Sequence, residues 1–459
     1  MKNRLSLILP FTAALLTACG SDKSDPEPDV LMFAAQETQQ SGYEPWVTDG
    51  TEIGTFKLKE INDAEDSNPQ WPVRLNGQWL FAADDGVNGL ELWVSNGTEA
   101  GTKLLKDLNS SGSADVRYMT TFKGKVYFSA NDGVNGDEIW VTDGTQAGTY
   151  MFKDLQTGAN GSYPFGFTVA GGYLYFTATI DDSRMLWATN GGNEEGDTAI
   201  VTTSNDEEFG LPNALTAYRN GVIFTASSFE YGYEPYFVEG RTAKRIADIN
   251  PGIGSGYPSK FQVINDKVVF VANDNIHGAE LWVYDGVNAP QLLNDLSLGD
   301  KATSFKRFMV FKDKLFFTAT VEDPERADSG PYELFATTGN LDDVVLIKGG
   351  LTSNQFDLLG SNKEHLFLMG KYAGKRYLWV SKGDTGSTMP LTVTDLSDLS
   401  PVASVVNDML IFVGGSESYG FEPWVSNGTA DSTKLLKDIN LDAGSSFPEI
   451  KLRGLSPGY

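Results

Sequence analysis

The chain has 459 residues, and the chemistry open to it is limited by two histidines and one cysteine set against 61 acidic residues. His277 and His365 lie far apart and in no recognisable motif. A Ser-His-Asp triad or a histidine-ligated zinc or iron site therefore lacks its imidazole. The remaining groups are carboxylates, tyrosines and arginines, which suffice for glycoside hydrolysis or lyase chemistry. Acids are so frequent that no pair separates itself from the rest. Asp84, Asp85, Asn88 and Glu91 form an oxygen-rich cluster, and Asp132 and Asn135 sit in a second copy of it. These are calcium-ligand types, although Asp, Asn and Gly also build turns for their own sake. No cofactor is expected apart from calcium, which these loops could take.

The elements that must position such residues are repeated. GYEPWVTDGTEIGT (42–55), GLELWVSNGTEAGT (89–102), GDEIWVTDGTQAGT (136–149), GAELWVYDGVNAP (278–290) and GFEPWVSNGTADST (420–433) are copies of one unit. Weaker copies centre on Trp187, Tyr236, Phe335 and Trp379, making nine units with those anchored at Trp46, Trp93, Trp140, Trp282 and Trp424. A period of this length marks a repeat architecture. The motif resembles the ELWxxDGT repeat of bacterial exported proteins, and the resemblance covers nearly all of the chain after its N-terminal segment. It implies a propeller-like β architecture and no single activity.

Each unit reads as four strands. In residues 115–155 these are Val116 to Phe122, Lys125 to Ala130, Glu138 to Thr142 and Tyr150 to Leu155. Lys-Gly and Asp-Gly dipeptides supply the hairpin turns, because glycine accepts positive φ without a steric cost. The longest connection follows the fourth strand and carries the recurrent Asp of Asp107, Asp154, Asp248 and Asp438. A long link joins the outer strand of one blade to the inner strand of the next, so strand one is expected innermost. The expected fold is an all-β, single closed β-propeller of nine four-stranded blades over residues 30–459, with eight blades as the alternative. The first unit lacks strand one, and Phe447 to Arg453 is a surplus strand one that would close the ring.

Function should sit where units depart from the repeat. One unit has Asp181, Asp182 and Arg184 in its strand two–three loop, another has Phe229, Tyr231 and Tyr233, and a third inserts Glu322 to Ser329, with Glu322, Asp323, Glu325 and Arg326. These loops share a face with the interblade links, and loops on one face of a rigid scaffold commonly bind partners. The Asp-Gly-Thr turns recur in too many units to be a site and read as structural.

Residues 1–18 read as a signal peptide: Lys2 and Arg4, an apolar run from Leu5 to Leu16 too short to span a bilayer, then Leu-Thr-Ala before Cys19. This resembles the bacterial lipobox, which implies that Cys19 is lipidated. Gly20 after Cys19 implies sorting to the outer membrane, and residues 19–29 form a polar tether. The formal net charge of −26 argues against nucleic acid and leaves the membrane reached only through the anchor. The expectation is a surface-anchored binding or scaffold module for an envelope or extracellular protein, or a glycan. The alternative is a polysaccharide-active enzyme working through carboxylates.

Overall fold

The structure, a computed structural model, describes residues 30–38, 41–203, 209–321, 332–349, 356–372, 375–441 and 444–448. The described residues are all β, and they form nine sheets in chain order. Blade 3 is typical. Arg117–Phe122, Lys125–Asn131, Asp137–Thr142 and Tyr150–Lys153 pair antiparallel in sequence order. Blades 2, 4, 6, 7, 8 and 9 repeat this order, while blade 5 gains a fifth strand and blade 1 shows three among the described residues. Nine blades settle the count over eight.

One cross-strand register holds the blades alike. The Trp of strand three faces a Phe of strand two in Phe33–Trp46, Phe81–Trp93, Phe128–Trp140, Phe176–Trp187, Phe270–Trp282 and Phe412–Trp424. Blade 8 places Leu368 there, opposite Trp379. Such pairs are the unit of sheet stabilisation. The Asp-Gly-Thr turn is a small scaffold of its own. Asp143 Oδ1 accepts from Thr145 N (2.9 Å) and Thr145 Oγ1 (2.7 Å), and Thr142 and Thr149 join their hydroxyls at 2.7 Å. A Cβ on Gly148 would fall 2.1 Å from Asp143 Oδ1, which explains the glycine.

The core is divided between neighbours. Nine buried clusters each join two adjacent blades, as where Leu80, Leu92 and Val94 of blade 2 meet Val126, Phe128 and Trp140 of blade 3. The ninth joins Phe33 and Trp46 of blade 1 to Ile411, Val413 and Val425 of blade 9, so the ring is closed. Lys437 Nζ donates to Thr55 O (2.8 Å) across this seam as Lys106 Nζ donates to Thr149 O (2.5 Å) between blades 2 and 3. Gln36 N donates to Ser446 O, just as Asp84 N, Asn131 N and Asn273 N donate to the residues that lead into their own inner strands. The C-terminal segment thus enters blade 1 at its inner edge. The remainder of the expected closing strand, residues 449–453, lies outside the described residues.

Candidate binding face and channel

The loop face is fixed by a carboxylate placed two residues before the anchoring aromatic. Strand alternation puts Glu138 on the same side as Trp140, and its carboxylate is fully buried. It accepts from Leu155 N (2.9 Å), Gln156 N (3.1 Å) and Ser162 Oγ (2.6 Å), all on the link that leaves the blade. Glu91 holds Leu108 N (2.8 Å) and Ala114 N (3.0 Å) in the same way. Glu44, Glu234, Glu280 and Glu422 repeat the latch on their own links. Burial pushes Glu44, Glu91, Glu234 and Glu280 up to about 7, against the amide hydrogen bonds that lower them. Among the described residues these four carboxyls are raised furthest, and they tie down loops. Sequence reasoning saw no acid standing out and grouped Glu91 with a cation-ligand cluster. The signal available was a glutamate at fixed spacing in seven units, Glu44, Glu91, Glu138, Glu234, Glu280, Glu333 and Glu422.

The strand two–three loops and the links do share one face. Gly136 (φ 73°) in the loop lies against Gly161 in the link, where a Cβ would fall 2.4 Å from Gly161 N. In the oxygen-rich loops the carboxylates are engaged by their own turns. Asp85 Oδ1 accepts from Val87 N (3.0 Å) and Asn88 N (2.7 Å), and its Oδ2 from Asn88 Nδ2 (2.8 Å). Asp132 and Asn135 are arranged identically, and Asp84 Oδ1 accepts from Gly86 N (2.7 Å). Asp274 and His277 build the same turn, with His277 Nδ1 at 2.7 Å from Asp274 Oδ2 in the role of the asparagine. Among the described residues no three His, Cys, Asp or Glu side chains converge as a metal-holding group.

The departing loops fare differently. Asp181 (φ 47°) and Asp182 (φ 64°) form a tight exposed hairpin turn, and the Arg184 guanidinium lies 5.1 Å over Phe165. Phe229 is 99% exposed, Tyr231 lies under the Arg245 guanidinium at 3.4 Å, and Tyr233 stacks on Tyr257 at 5.6 Å and 23°. Tyr257, 64% exposed, sits on the following link, so this sector joins loop and link in one aromatic patch. Sequence reasoning missed Tyr257 because the partnership with Tyr233 is tertiary. Cys19 and the insertion with Glu322, Asp323, Glu325 and Arg326 lie outside the described residues.

The inner strands surround the channel, and most carry a β-bulge. At the bulge Trp71 (φ 54°), Tyr118 (φ 58°), Gly166 (φ 69°) and Lys260 (φ 56°) take the left-handed conformation. The half-buried Trp71 and Tyr118 meet across blades 2 and 3 at 4.7 Å with their rings tilted by 54°, each packed against an interblade cluster, and Tyr118 meets Phe165 of blade 4 at 6.3 Å.

No family model matches the chain. No curated protein matches it. By shape it is similar to a puromycin-hydrolyzing peptidase of Mycobacterium tuberculosis, with 10% identity and a TM-score of 0.44 over 82% of this chain and 53% of that one. It is also similar to the β-propeller domain of the Trilobed protease from Pyrococcus furiosus, with 14% identity and a TM-score of 0.34 over 71% of this chain and 97% of that domain. A third is the Pyrococcus horikoshii acylaminoacyl peptidase, with 14% identity and a TM-score of 0.34 over 71% and 52% of the two chains. The chain spans about half the length of the whole peptidases. Likeness at these scores says nothing of activity.

Proposed function

We propose that the protein is a lipid-anchored binding or scaffold module of the bacterial outer membrane, held by Cys19 and engaging an envelope or extracellular protein, or a glycan, through its loop face. The observation that carries this reading is the aromatic patch of Phe229, Tyr233 and Tyr257 on a face held rigid by the buried glutamates. A fully exposed phenylalanine on the same strand two–three loop that leads into a stacked tyrosine pair is apolar surface that a partner would cover. The acids that burial pushes toward neutrality are spent on link amides, so they do not supply a general acid at this face. The N-terminal segment supports the anchor: the apolar run from Leu5 to Leu16 leads into Leu-Thr-Ala and Cys19, the one thiol of the chain.

Two measurements test the reading. Radiolabelled palmitate should enter the wild-type protein in its host and not Cys19→Ser. Immobilised full-length protein should retain a defined component of the solubilised host envelope, and Phe229→Ser with Tyr257→Ser should abolish retention. Unchanged retention in that variant would move the site elsewhere. Depolymerised products in a polysaccharide incubation, without retention, would replace the binder by the enzyme.

A further inference from the structure

We infer that the part of the loop face on blades 5 and 6 docks a basic amphipathic segment of a partner protein, its apolar side chains on Phe229, Ile253, Tyr257, Ile276 and Leu298 and its lysines or arginines over the acids between them. The inference rests on the binding reading above and chooses a polypeptide as the ligand of that face.

Four segments adjoin in order here. The strand two–three loop of blade 5 abuts the link that leaves the same blade, where a Cβ on Gly232 would fall 2.3 Å from Gly254 O. That link touches blade 6 on its other side, with Asn273 N donating to Gly256 O (2.8 Å). The blade 6 loop then abuts its own link, a Cβ on Gly278 falling 2.3 Å from Lys301 O. Each segment raises at least one large apolar side chain into solvent. Phe229 and Tyr257 belong to the patch described above, and Ile253 (84% exposed), Ile276 (65%) and Leu298 (73%) extend it onto blade 6. The turn that carries Ile276 is held through its main chain, Ile276 N donating to Asp274 Oδ1 (2.9 Å), so the turn makes no use of the isoleucine side chain. On the opposite face the turns of the same two blades expose one large apolar residue, Val287. Exposed apolar surface rimmed by polar groups marks a site of protein contact.

The charge around these residues has one sign. Residues 229–232, 246–258, 274–278 and 295–303 hold five acids, Glu230, Asp248, Asp274, Asp295 and Asp300, and one base, Lys301, besides His277. Main-chain amides meet three of the acids. Asp274 Oδ1 accepts from Ile276 N and His277 N (2.8 Å), Asp248 Oδ2 from Gly252 N (3.1 Å), and Asp295 Oδ2 from Gly299 N (3.3 Å). An amide donor orders a carboxylate and leaves its charge in place. Glu230 and Asp300 are exposed. The turn face of the same blades differs, since there Arg219 pairs with Asp266 at 2.6 Å. Apolar tips on the loop face therefore stand in a net negative field.

That combination selects the occupant. Complementary charge steers an encounter and rejects partners of like sign. An acidic glycan, an anionic lipid surface and a second copy of this face would each bring negative charge against these acids. A neutral glycan stacks on aromatic rings, and Ile253, Ile276 and Leu298 have none to offer. A polypeptide that alternates apolar and cationic side chains uses both features at once.

Immobilised, detergent-solubilised full-length protein tests this by titration with a synthetic Leu-Lys amphipathic peptide, empty micelles serving as the reference. Its Leu-Glu counterpart, oligolysine, maltohexaose and phosphatidylglycerol vesicles are the comparators. The Leu-Lys peptide should bind, weaken as salt rises, and lose at least tenfold in affinity when Ile253→Ser is combined with Ile276→Ser. Both side chains are exposed, so the variant keeps the fold. Glu230→Gln with Asp300→Asn should also weaken binding and flatten its salt dependence. Oligolysine bound as tightly as the Leu-Lys peptide, or unchanged affinity in the isoleucine variant, would overturn the inference by showing attraction to the acidic chain at large. Equal binding of the Leu-Glu peptide, maltohexaose or the vesicles would overturn it in favour of another ligand class. Absence of Leu-Lys binding, with envelope retention still lost in Phe229→Ser with Tyr257→Ser, would overturn the choice of ligand and leave the binding face standing.

Discussion

Blades 3 and 4 are neighbours built to one plan, and one of their differences lies two residues before the anchoring tryptophan. Blade 3 has Glu138 there and blade 4 has Met185. The link after blade 3 folds back over its own blade, pinned by three donors to the glutamate. The link after blade 4 starts in the usual way, with Val201 N donating to Leu186 O (2.8 Å). Thr202–Thr203 then departs to pair in parallel with Thr242 and Ala243 on the outer edge of blade 5. A methionine offers nothing to link amides, which must find partners elsewhere because backbone N–H groups cannot be left buried and unmet. In this pair of blades the carboxylate accompanies a link held on the loop face, and the methionine accompanies a link that pairs on the rim.

That contrast can be broken in graded steps. Replacing Glu138 by Met should cost about 4 kcal/mol in denaturant unfolding, since it strands two amides and a hydroxyl. A loss no larger than that of a surface substitution would show that the latch is incidental. Gly136→Ala should cost about 3 kcal/mol, from its left-handed backbone and the collision with Gly161, whereas Gly124→Ala (φ 71°, open space) should cost about 1 kcal/mol. The pH profile sharpens the same point. Burial raises Glu91 to about 7, so the folded state keeps a proton that the unfolded chain releases near its ordinary carboxyl value. Stability from this group is therefore fully present at low pH, declines as pH climbs from about 4.5 to 7, and is level above that. Glu91→Gln should flatten the decline by on the order of 2 kcal/mol between pH 5 and 7.5, read from melting temperatures at each pH. The smallest effect concerns a side-chain bond by which the latched link touches blade 4, Gln156 Oε1 accepting from Asp181 N at 2.9 Å. Gln156→Ala should lower stability by less than about 1 kcal/mol, since that amide is exposed to water.

The propeller, its blade order, the shared loop face and the closing logic were legible because each follows from local pattern repeated at one spacing. Trp140 with Asp143-Gly144-Thr145 fixes a strand and its turn without any distant partner. Glu138 was not legible in the same way. Its neighbours in sequence, Asp132 and Asn135, suggested a ligand cluster, but its actual partners lie 17 to 24 residues onward. The contacts among Trp71, Tyr118 and Phe165 were hidden for a related reason. Trp71, Tyr118 and Phe165 occupy one tier only because inner strands of separate blades meet, and the bulge that turns them is set by pairing rather than by composition. The exposed sector was half visible: the loop with Phe229 and Tyr233 stood out, and Tyr257 did not.

The seam between blades 9 and 1 uses a cluster and a lysine–carbonyl contact of the same kind as the interior interfaces. In a linear array of repeats the terminal units have one neighbour and fray first. Here every blade has two, so releasing any one of them breaks two clusters at once. Melting should consequently be a single cooperative event across nine units, with calorimetric and van't Hoff enthalpies in agreement, in a chain well beyond the size at which two-state behaviour is the rule.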